Sequence, residues 1–285
     1  MNSDENTALI EARFREGQKL LDSFIGQNSS LPTSDLFRKS WHVIVKNKAL
    51  FEGVALLKNR FDIEWDNLVY FQFCRFFEKL RPDFVPPIRI DRPDVSMDEF
   101  CGSTLVTVHN LLEMAIGRAL QKIGLETTFV SSAGIRLPGH IRLFRFAPAP
   151  LIIPRDRNCM LLMRDAVQLR RALIVDVDYT LYDPEAKMLH RRIGINSFEF
   201  SKKTRTPLHY VFAKIDVEGE IVIHSRKANS EDSAGHAAQE FIRFLTTNDF
   251  RRGPLSVGDW FADTGGKPNA ILKKYSSLRA SNADG

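Results

Sequence analysis

The segment 102–132, GSTLVTVHNLLEMAIGRALQKIGLETTFVSS, decides the fold class of this chain. It opens with the apolar run STLVTVH, which is typical of a buried β-strand. The next part, LLEMAIGRALQKIG, repeats apolar residues at helical spacing and ends at Gly124, a residue type that favours helix ends. The run ETTFVSS predicts a second strand. Because two strands joined through a helix lie parallel, the segment predicts an α/β fold.

The alternation of strands and helices continues along the chain. Helical patterns are predicted over 164–170, 196–204 and 234–247, and a strand over 172–175. The segment LHYVFAKIDVEGEIVIHS predicts a β-hairpin that turns at Glu218 and Gly219. The expected fold class is therefore α/β, with a mixed, largely parallel sheet flanked by helices.

A helical region precedes this α/β part. Apolar residues at helical spacing predict helices over 7–25, 34–58 and 62–80. The segment RPDFVPPIRIDRPDVS contains four prolines, which do not continue a helix. The predicted division is a helical N-terminal region (1–80), a Pro-rich connector (81–96), an α/β domain (97–265) and a flexible tail (266–285).

The charge balance bears on the partners of the chain. Its 285 residues include 40 Lys and Arg against 35 Asp and Glu, a formal net charge of +5. The basic residues form short clusters, which fit either a solvated surface or an attraction to an anionic partner such as a lipid headgroup layer or an acidic carrier protein. Stacking aromatics do not interleave with these clusters, and no nucleic-acid motif occurs among them. No nucleic-acid partner is therefore expected.

The cysteines and the apolar runs bear on location. Cys74, Cys101 and Cys159 are odd in number and lie in apolar surroundings, which predicts free thiols in a reducing compartment. No Cys/His spacing suits a zinc site, so no metal is expected. The N-terminus does not resemble a secretory signal, and the charge-free run 100–112 is far shorter than the roughly 18 residues of a membrane span. The expected location is the cytoplasm, with at most a peripheral contact at the inner face of the membrane.

Residues 170–185, RRALIVDVDYTLYDPE, contain one candidate site. Asp176 and Asp178 follow an apolar strand in the Asp-x-Asp-x-Thr pattern of haloacid-dehalogenase-type phosphatases, as nucleophile and acid/base. Asp259 and Asp263 are spaced like the magnesium ligands of that class. Only 285 − 176 = 109 residues follow Asp176, however, and IVIHS, the segment for the second motif, lies in the predicted hairpin. The phosphatase is the third hypothesis for this chain.

A second candidate site lies where the strand STLVTVH ends. This strand brings His109 to its carboxyl end, which is the edge at which open α/β sheets bind ligands. The following helix carries Glu113. The imidazole is expected to act as general base on a hydroxyl, and the glutamate to orient it and stabilise its cation. A histidine that caps the helix or is hydrogen-bonded in the core is the structural alternative.

The residues around His109 resemble a known family. GSTLVTVHNLLEMAIGRALQKIGLETTFV is similar to the first block of bacterial lipid A biosynthesis (lauroyl/myristoyl) acyltransferases, members of the lysophospholipid acyltransferase superfamily. In that family a strand leads into His-x-x-x-x-Asp/Glu and a helix. The similarity continues, in order, over roughly residues 95–262 through DAVQLRRALIVDVDYTL, RRIGINSFEFSKKTRTPLHYVFAKIDVEGEIVI and AAQEFIRFLTTNDFRRGPLSVGDWF.

The resemblance implies a function and a site. It implies a glycerolipid acyltransferase-like sheet over 97–265 and transfer of an acyl group from acyl-carrier protein or acyl-CoA to a hydroxyl or amine. It implies His109 as base and Glu113 as its partner, with no cofactor besides the acyl thioester. Two departures are visible. Glu113 lies one residue closer to the histidine than in the family, and no membrane-spanning N-terminal anchor is recognised. A non-catalytic relative that binds lipid or carrier protein is therefore the second hypothesis.

Further residues are candidates for substrate binding. Asp176 and Asp178 end a later strand of the predicted sheet, so they are expected near His109 at the shared carboxyl edge, although a plain strand-end turn explains them equally. Arg136 and Arg142 are candidates to hold a phosphate of the donor, although a solvated loop explains them as well.

Overall fold

The structure is a computed structural model that describes residues 3–51, 65–92, 96–131, 143–155, 157–183, 188–250 and 255–259. Its helices are α1 Ser3–Gln27, α2 Thr33–Lys46, α3 Lys48–Phe51, α4 Trp65–Leu80, α5 Met97–Phe100, α6 Glu113–Lys122, α7 Cys159–Gln168, α8 Asn196–Thr204 and α9 Ala234–Thr247. Its strands are β1 Ile88–Ile90, β2 Thr104–Thr107, β3 Thr127–Ser131, β4 Leu151–Pro154, β5 Ala172–Asp176, β6 Asp178–Asp183, β7 Met188–Gly194, β8 Leu208–Ile215, β9 Ile221–Lys227 and β10 Leu255–Gly258.

The main sheet has seven strands within the described residues, in the order β1-β9-β8-β2-β5-β3-β4. Neighbouring strands are parallel except in the β8/β9 hairpin, which is antiparallel. The expected α/β class with a mixed, mostly parallel sheet is thus confirmed. Strands β2 and β5 lie side by side in the interior of the sheet, with Thr107 opposite Asp176 at their carboxyl ends.

Both faces of the main sheet are covered by apolar side chains. In β2, Leu105 belongs to one buried cluster and Val106 to the other, and in β5 the same holds for Ile174 and Val175. Successive side chains of a strand point to opposite faces, so a strand covered on both sides needs apolar residues throughout. This requirement explains the uninterrupted apolar runs in the sequence.

A second, smaller sheet has the strand order β10-β7-β6. It was not predicted from the sequence. Strands β6 and β7 are antiparallel, and β10 is parallel to β7. The sheet begins where β5 ends: the Gly194 amide donates a hydrogen bond of 2.8 Å to the carbonyl of Val177. The residues after Asp176 therefore form a strand of their own in place of the expected polar turn.

The N-terminal helices pack on one face of the main sheet. Phe37 of α2 and Phe77 of α4 belong to the same buried cluster as Leu105. The Tyr70 hydroxyl donates a buried hydrogen bond of 2.7 Å to the carbonyl of Gly219, at the tip of the β8/β9 hairpin. Helices α2 and α4 are thus fixed to the sheet by apolar packing and by this hydrogen bond, and α1 packs against α2 and α3.

Two predicted segments differ from the observed elements. The predicted helix over 34–58 is divided, because α2 ends at Lys46 and α3 covers Lys48–Phe51, while residues 52–58 lie outside the described part. The connector over 81–96 contains β1, which pairs with β9 at the edge of the main sheet. Among the helices that the structure describes, none has the length and apolar character needed to cross a bilayer.

Candidate active site

The candidate site lies at the carboxyl ends of β2 and β5. Because these parallel strands are neighbours in register, the residues that follow them meet at one edge of the sheet. His109 comes two residues after β2, and Asp178 comes two residues after the last residue of β5, Asp176. The structure therefore brings together three of the residues singled out in the sequence, His109, Asp176 and Asp178.

Asp178 fixes the His109 imidazole. Its Oδ1 accepts the backbone N–H of His109 at 2.6 Å and lies 2.9 Å from Nδ1 of the ring. The side chain of Asp178 is 2% exposed, whereas that of His109 is 40% exposed. A buried carboxylate thus holds one edge of a ring that solvent reaches. In this arrangement Nδ1 carries a proton and donates it in a hydrogen bond to the Asp178 carboxylate.

Further groups surround this pair. The Arg191 guanidinium of β7 lies 3.4 Å from Oδ2 of Asp178, and its side chain is 11% exposed. On the other side of the ring, Oδ2 of Asp176 lies 3.6 Å from Nε2 of His109. The Arg155 guanidinium donates a hydrogen bond to the backbone carbonyl of Asp176. Four charged side chains and one imidazole therefore converge on the ends of two strands.

These charges set the protonation of the histidine. Burial by itself lowers the pKa of His109, but the carboxylates of Asp176 and Asp178 outweigh it and raise that pKa to about 10. Burial raises the pKa of Asp178, but the His109 and Arg191 charges and the hydrogen bonds from His109 outweigh it and lower that pKa to about 2. At neutral pH the pair is an imidazolium and a carboxylate.

Glu113 is the first residue of α6 and is half-buried beside Asp176. Burial, the negative charge of Asp176 and a hydrogen bond with the Asp176 side chain raise the pKa of Glu113 well above its usual value. The protonated form of Glu113 is therefore favoured more than in a glutamate that is exposed to solvent. Nδ1 of His109 donates its hydrogen bond to Asp178, and the orienting role of Glu113 stays a prediction.

The short turn between β2 and α6 is stabilised by Asn110. Its side-chain oxygen accepts the backbone N–H of Leu112, and its amide donates to the carbonyl of Ala213 in β8 at 3.3 Å. An asparagine that bonds to the backbone two residues ahead is typical of such turns. This turn lets α6 start at Glu113, only four residues after His109.

Other predicted residues fall elsewhere. Arg136 and Arg142 lie outside the described residues, as does Asp263, whereas Asp259 follows β10. Arg155 and Arg191 belong to the short basic clusters of the sequence and were not predicted as site residues. Arg191 lies in β7, so predicting its position in the site would have required recognition of the β6/β7 hairpin.

In the stretches that the structure describes, His, Cys, Asp and Glu side chains do not come together in a group of three or more that could hold a metal ion. Comparison with protein-family models and with curated proteins finds no match to this chain.

Proposed function

We propose that this chain is an acyltransferase. It would move an acyl group from a thioester, carried by acyl-carrier protein or coenzyme A, to a hydroxyl or amine acceptor. The observation that best supports this proposal is the His109 ring, held at Nδ1 by the buried Asp178 and 40% exposed at the edge where α/β sheets bind ligands. The similarity of residues 95–262 to lysophospholipid acyltransferases supports the thioester donor and a glycerolipid acyltransferase-like form of the sheet.

The proposed reaction needs one proton acceptor. Unprotonated Nε2 of His109 takes the proton of the acceptor hydroxyl or amine while that oxygen or nitrogen attacks the thioester carbonyl. The carbon–sulfur bond then breaks, and the proton passes from Nε2 to the leaving thiolate. Asp178 stabilises the imidazolium that exists between these steps, so it has the orienting role that was expected for Glu113.

The protonation state limits this reaction at neutral pH. With a His109 pKa of about 10, about one molecule in a thousand carries the unprotonated base at pH 7. The proposed activity therefore increases with pH.

A specific observation favours the non-catalytic alternative. At neutral pH the imidazolium of His109 is paired with Asp178 and lies 3.6 Å from Asp176, which is also the geometry of a structural ion-pair cluster. A chain of this kind would bind lipid or carrier protein without turnover. The phosphatase hypothesis has less support, because Asp178 is already engaged by His109 and Arg191. Moreover, β9, which carries IVIHS, is separated from β5 by β8 and β2.

Substitutions at the site test the proposal by release of free thiol from acyl-CoA and from acyl-carrier thioesters in the presence of acceptor alcohols. We expect His109→Gln to lower kcat/KM by about 10²–10⁴-fold, the usual contribution of a general base. Asp178→Asn should cause a comparable loss. Glu113→Gln should retain most activity, because the raised pKa of Glu113 favours its protonated carboxyl, which glutamine resembles.

Each contrary result has a distinct meaning. Full activity in His109→Gln would reject the mechanism. A loss in Glu113→Gln with none in Asp178→Asn would return the orienting role to Glu113. Binding of carrier protein without turnover by the unchanged chain would favour the non-catalytic alternative. Magnesium-dependent phosphate release that disappears in Asp176→Asn would favour the phosphatase.

A further inference from the structure

A recess of about 340 Å³ lies at the amino-terminal end of β8, between α8 and α9. We call it the basic recess, because three of its lining residues are cations. These are Lys202 of α8, Arg205 just after α8, and Lys227 at the end of β9. Phe198 and Leu208 give it an apolar wall, and Asp232 is the acidic residue of its lining.

The acidic residue does not neutralise the recess. The Lys202 ammonium donates a hydrogen bond of 3.0 Å to the backbone carbonyl of Asp232, not to its carboxylate. The Asp232 carboxylate instead accepts the Asn229 amide at 3.4 Å and lies 3.8 Å from Nε2 of His236. Three cations against one carboxylate leave the lining with a net charge of 3 − 1 = +2.

Two of the cations have no compensating partner among the described residues. In the part of the chain that the structure describes, neither the Arg205 guanidinium nor the Lys227 ammonium forms an ion pair or a hydrogen bond. Adjacent basic residues do: Lys203 lies 3.0 Å from the Glu199 carboxylate, and Arg226 lies 3.4 Å from that of Glu240. The uncompensated charge is thus located in the recess and not spread over this face.

The backbone fixes the position of Arg205. This residue has a left-handed φ of 54°, and its N–H donates to the carbonyl of Lys202 at 3.2 Å. The next N–H, of Thr206, donates to the carbonyl of Ser201 at 3.0 Å. These two bonds end α8 in a defined turn, so the base of the Arg205 side chain is held at the rim of the recess.

We propose that the basic recess binds a small organic phosphate ester. The phosphate would lie between Arg205 and Lys227, with Lys202 beside it, and the organic part would pack on Phe198 and Leu208. A phosphate monoester carries about −1.5 to −2 charges at pH 7, which matches the net charge of the lining. The volume is within the range of small-molecule sites, about 300–1,000 Å³. The N-terminus of α9, at Ala234, lines the same recess and adds its positive end.

This site is separate from His109. Leu208 pairs with Thr104 at the start of β2, and His109 follows the other end of that strand. His109 lies five positions after Thr104, which corresponds to about 17 Å of extended chain. A phosphate in the recess therefore does not contact the atoms that would react at His109, and the inference does not depend on the proposed acyl transfer.

Calorimetric titration of the full chain with phenyl phosphate, phenol and inorganic phosphate tests the inference. Phenyl phosphate should bind most tightly, because it alone supplies both the charge and the ring. Arg205→Asn and Lys227→Gln should each weaken it by about tenfold or more, the usual loss for a charge-assisted hydrogen bond. Asparagine tolerates the left-handed conformation, so the first substitution should preserve the fold. Lys203→Gln is the matched control, since it removes a paired cation outside the recess and should change nothing.

The contrary results are equally clear. No binding of phenyl phosphate up to about 10 mM, a range weaker than typical small-molecule affinities, would overturn the inference. So would equal binding of phenol, or an equal loss in Lys203→Gln. Sedimentation with vesicles that contain phosphatidic acid separates a soluble ester from a lipid headgroup. Binding to these vesicles that phenyl phosphate does not reduce would also overturn it.

Discussion

At the scale of single residues, the candidate site depends on how His109 is paired. Asp178 holds Nδ1 at 2.9 Å, and Asp176 lies 3.6 Å from Nε2. A catalytic histidine usually has one carboxylate partner, which orients the ring and leaves the other nitrogen for the substrate. Here a second carboxylate lies near that other nitrogen and raises the pKa of the imidazole further. The pH dependence of activity is therefore the most direct measure of what Asp176 does.

We predict that kcat/KM for acyl transfer increases about tenfold per pH unit and levels off near pH 10. Activity increases with pH because the base is the unprotonated ring and the pKa of His109 is raised to about 10. Asp176→Asn removes a negative charge and should move the profile to lower pH by about one unit or more. Asp165→Asn is the control, because this exposed residue of α7 pairs with Arg164 and carries the same charge. A profile that is flat between pH 7 and 10 would contradict the prediction.

The sequence could indicate these residues but not their pairing. His109, Asp176 and Asp178 each end an apolar run, and the parallel order of the runs places such ends at one edge. Which carboxylate reaches Nδ1 depends on distances of about an ångström. Those distances are set by the Asn110 turn and by the point at which β6 starts. For the same reason the spacing of His109 and Glu113 suggested a pair, whereas burial and the charge of Asp176 raise the pKa of Glu113.

At the scale of elements, the β8/β9 hairpin connects the sheet to the N-terminal helices. Its turn contains Gly219, which has a φ of 81°. A Cβ at this position would lie 2.8 Å from the Trp41 ring and 3.2 Å from the Trp41 Cβ. The second atom is close to the α2 backbone, so a rotation of the side chain does not remove the contact. Glycine is required here both for the conformation and for the close approach of α2.

Gly219→Ala should lower the free energy of unfolding by about 2–4 kcal/mol, from left-handed strain of about 1 kcal/mol and overpacking of about 1–3 kcal/mol. Gly124→Ala is the matched control. Gly124 also has a positive φ, of 88°, but among the described residues its Cβ would meet only the Met97 sulfur, at 3.8 Å, so its cost should be about 1 kcal/mol. Urea unfolding measures both variants. Equal costs would mean that α2 moves away from the turn without penalty.

Elements were predictable from the sequence where one periodicity dominates. The helices over 196–204 and 234–247 have the predicted bounds, because their apolar residues recur at helical spacing and each covers one face of the sheet. The β6/β7 hairpin was missed because its strands mix apolar and charged residues. Ile193 is buried, but Arg191 points to Asp178 and Arg192 donates to the carbonyl of Val257 at 3.4 Å. Because charged residues that make such polar contacts interrupt the alternation of apolar and polar residues, the pattern that indicates a strand is weak here.

At the scale of the whole molecule, one continuous hydrophobic core spans the boundary that was predicted after residue 80. Phe37 of α2 stacks on Phe73 of α4, with ring centroids 4.9 Å apart. Both rings belong to the same buried cluster as Leu105 and Ile174 of the main sheet. When two regions bury apolar surface against each other, the unfolding of either one exposes that surface on both. The helices and the sheet should therefore unfold together.

We predict a single unfolding transition for the helices and the sheet. In a chain with Trp65 and Trp260 replaced by Phe, fluorescence reports on Trp41 of α2 alone, since the sequence has three tryptophans. Its midpoint in urea should coincide with that of far-UV circular dichroism. Phe37→Leu and Phe241→Leu form a matched pair, because these fully buried rings lie in the clusters on opposite faces of the sheet. Each substitution should lower the free energy of unfolding by about 1–3 kcal/mol. The fluorescence and circular dichroism midpoints should fall by the same amount. If Phe241→Leu lowered the circular dichroism midpoint but left the Trp41 midpoint unchanged, residues 1–80 would be an independent folding unit.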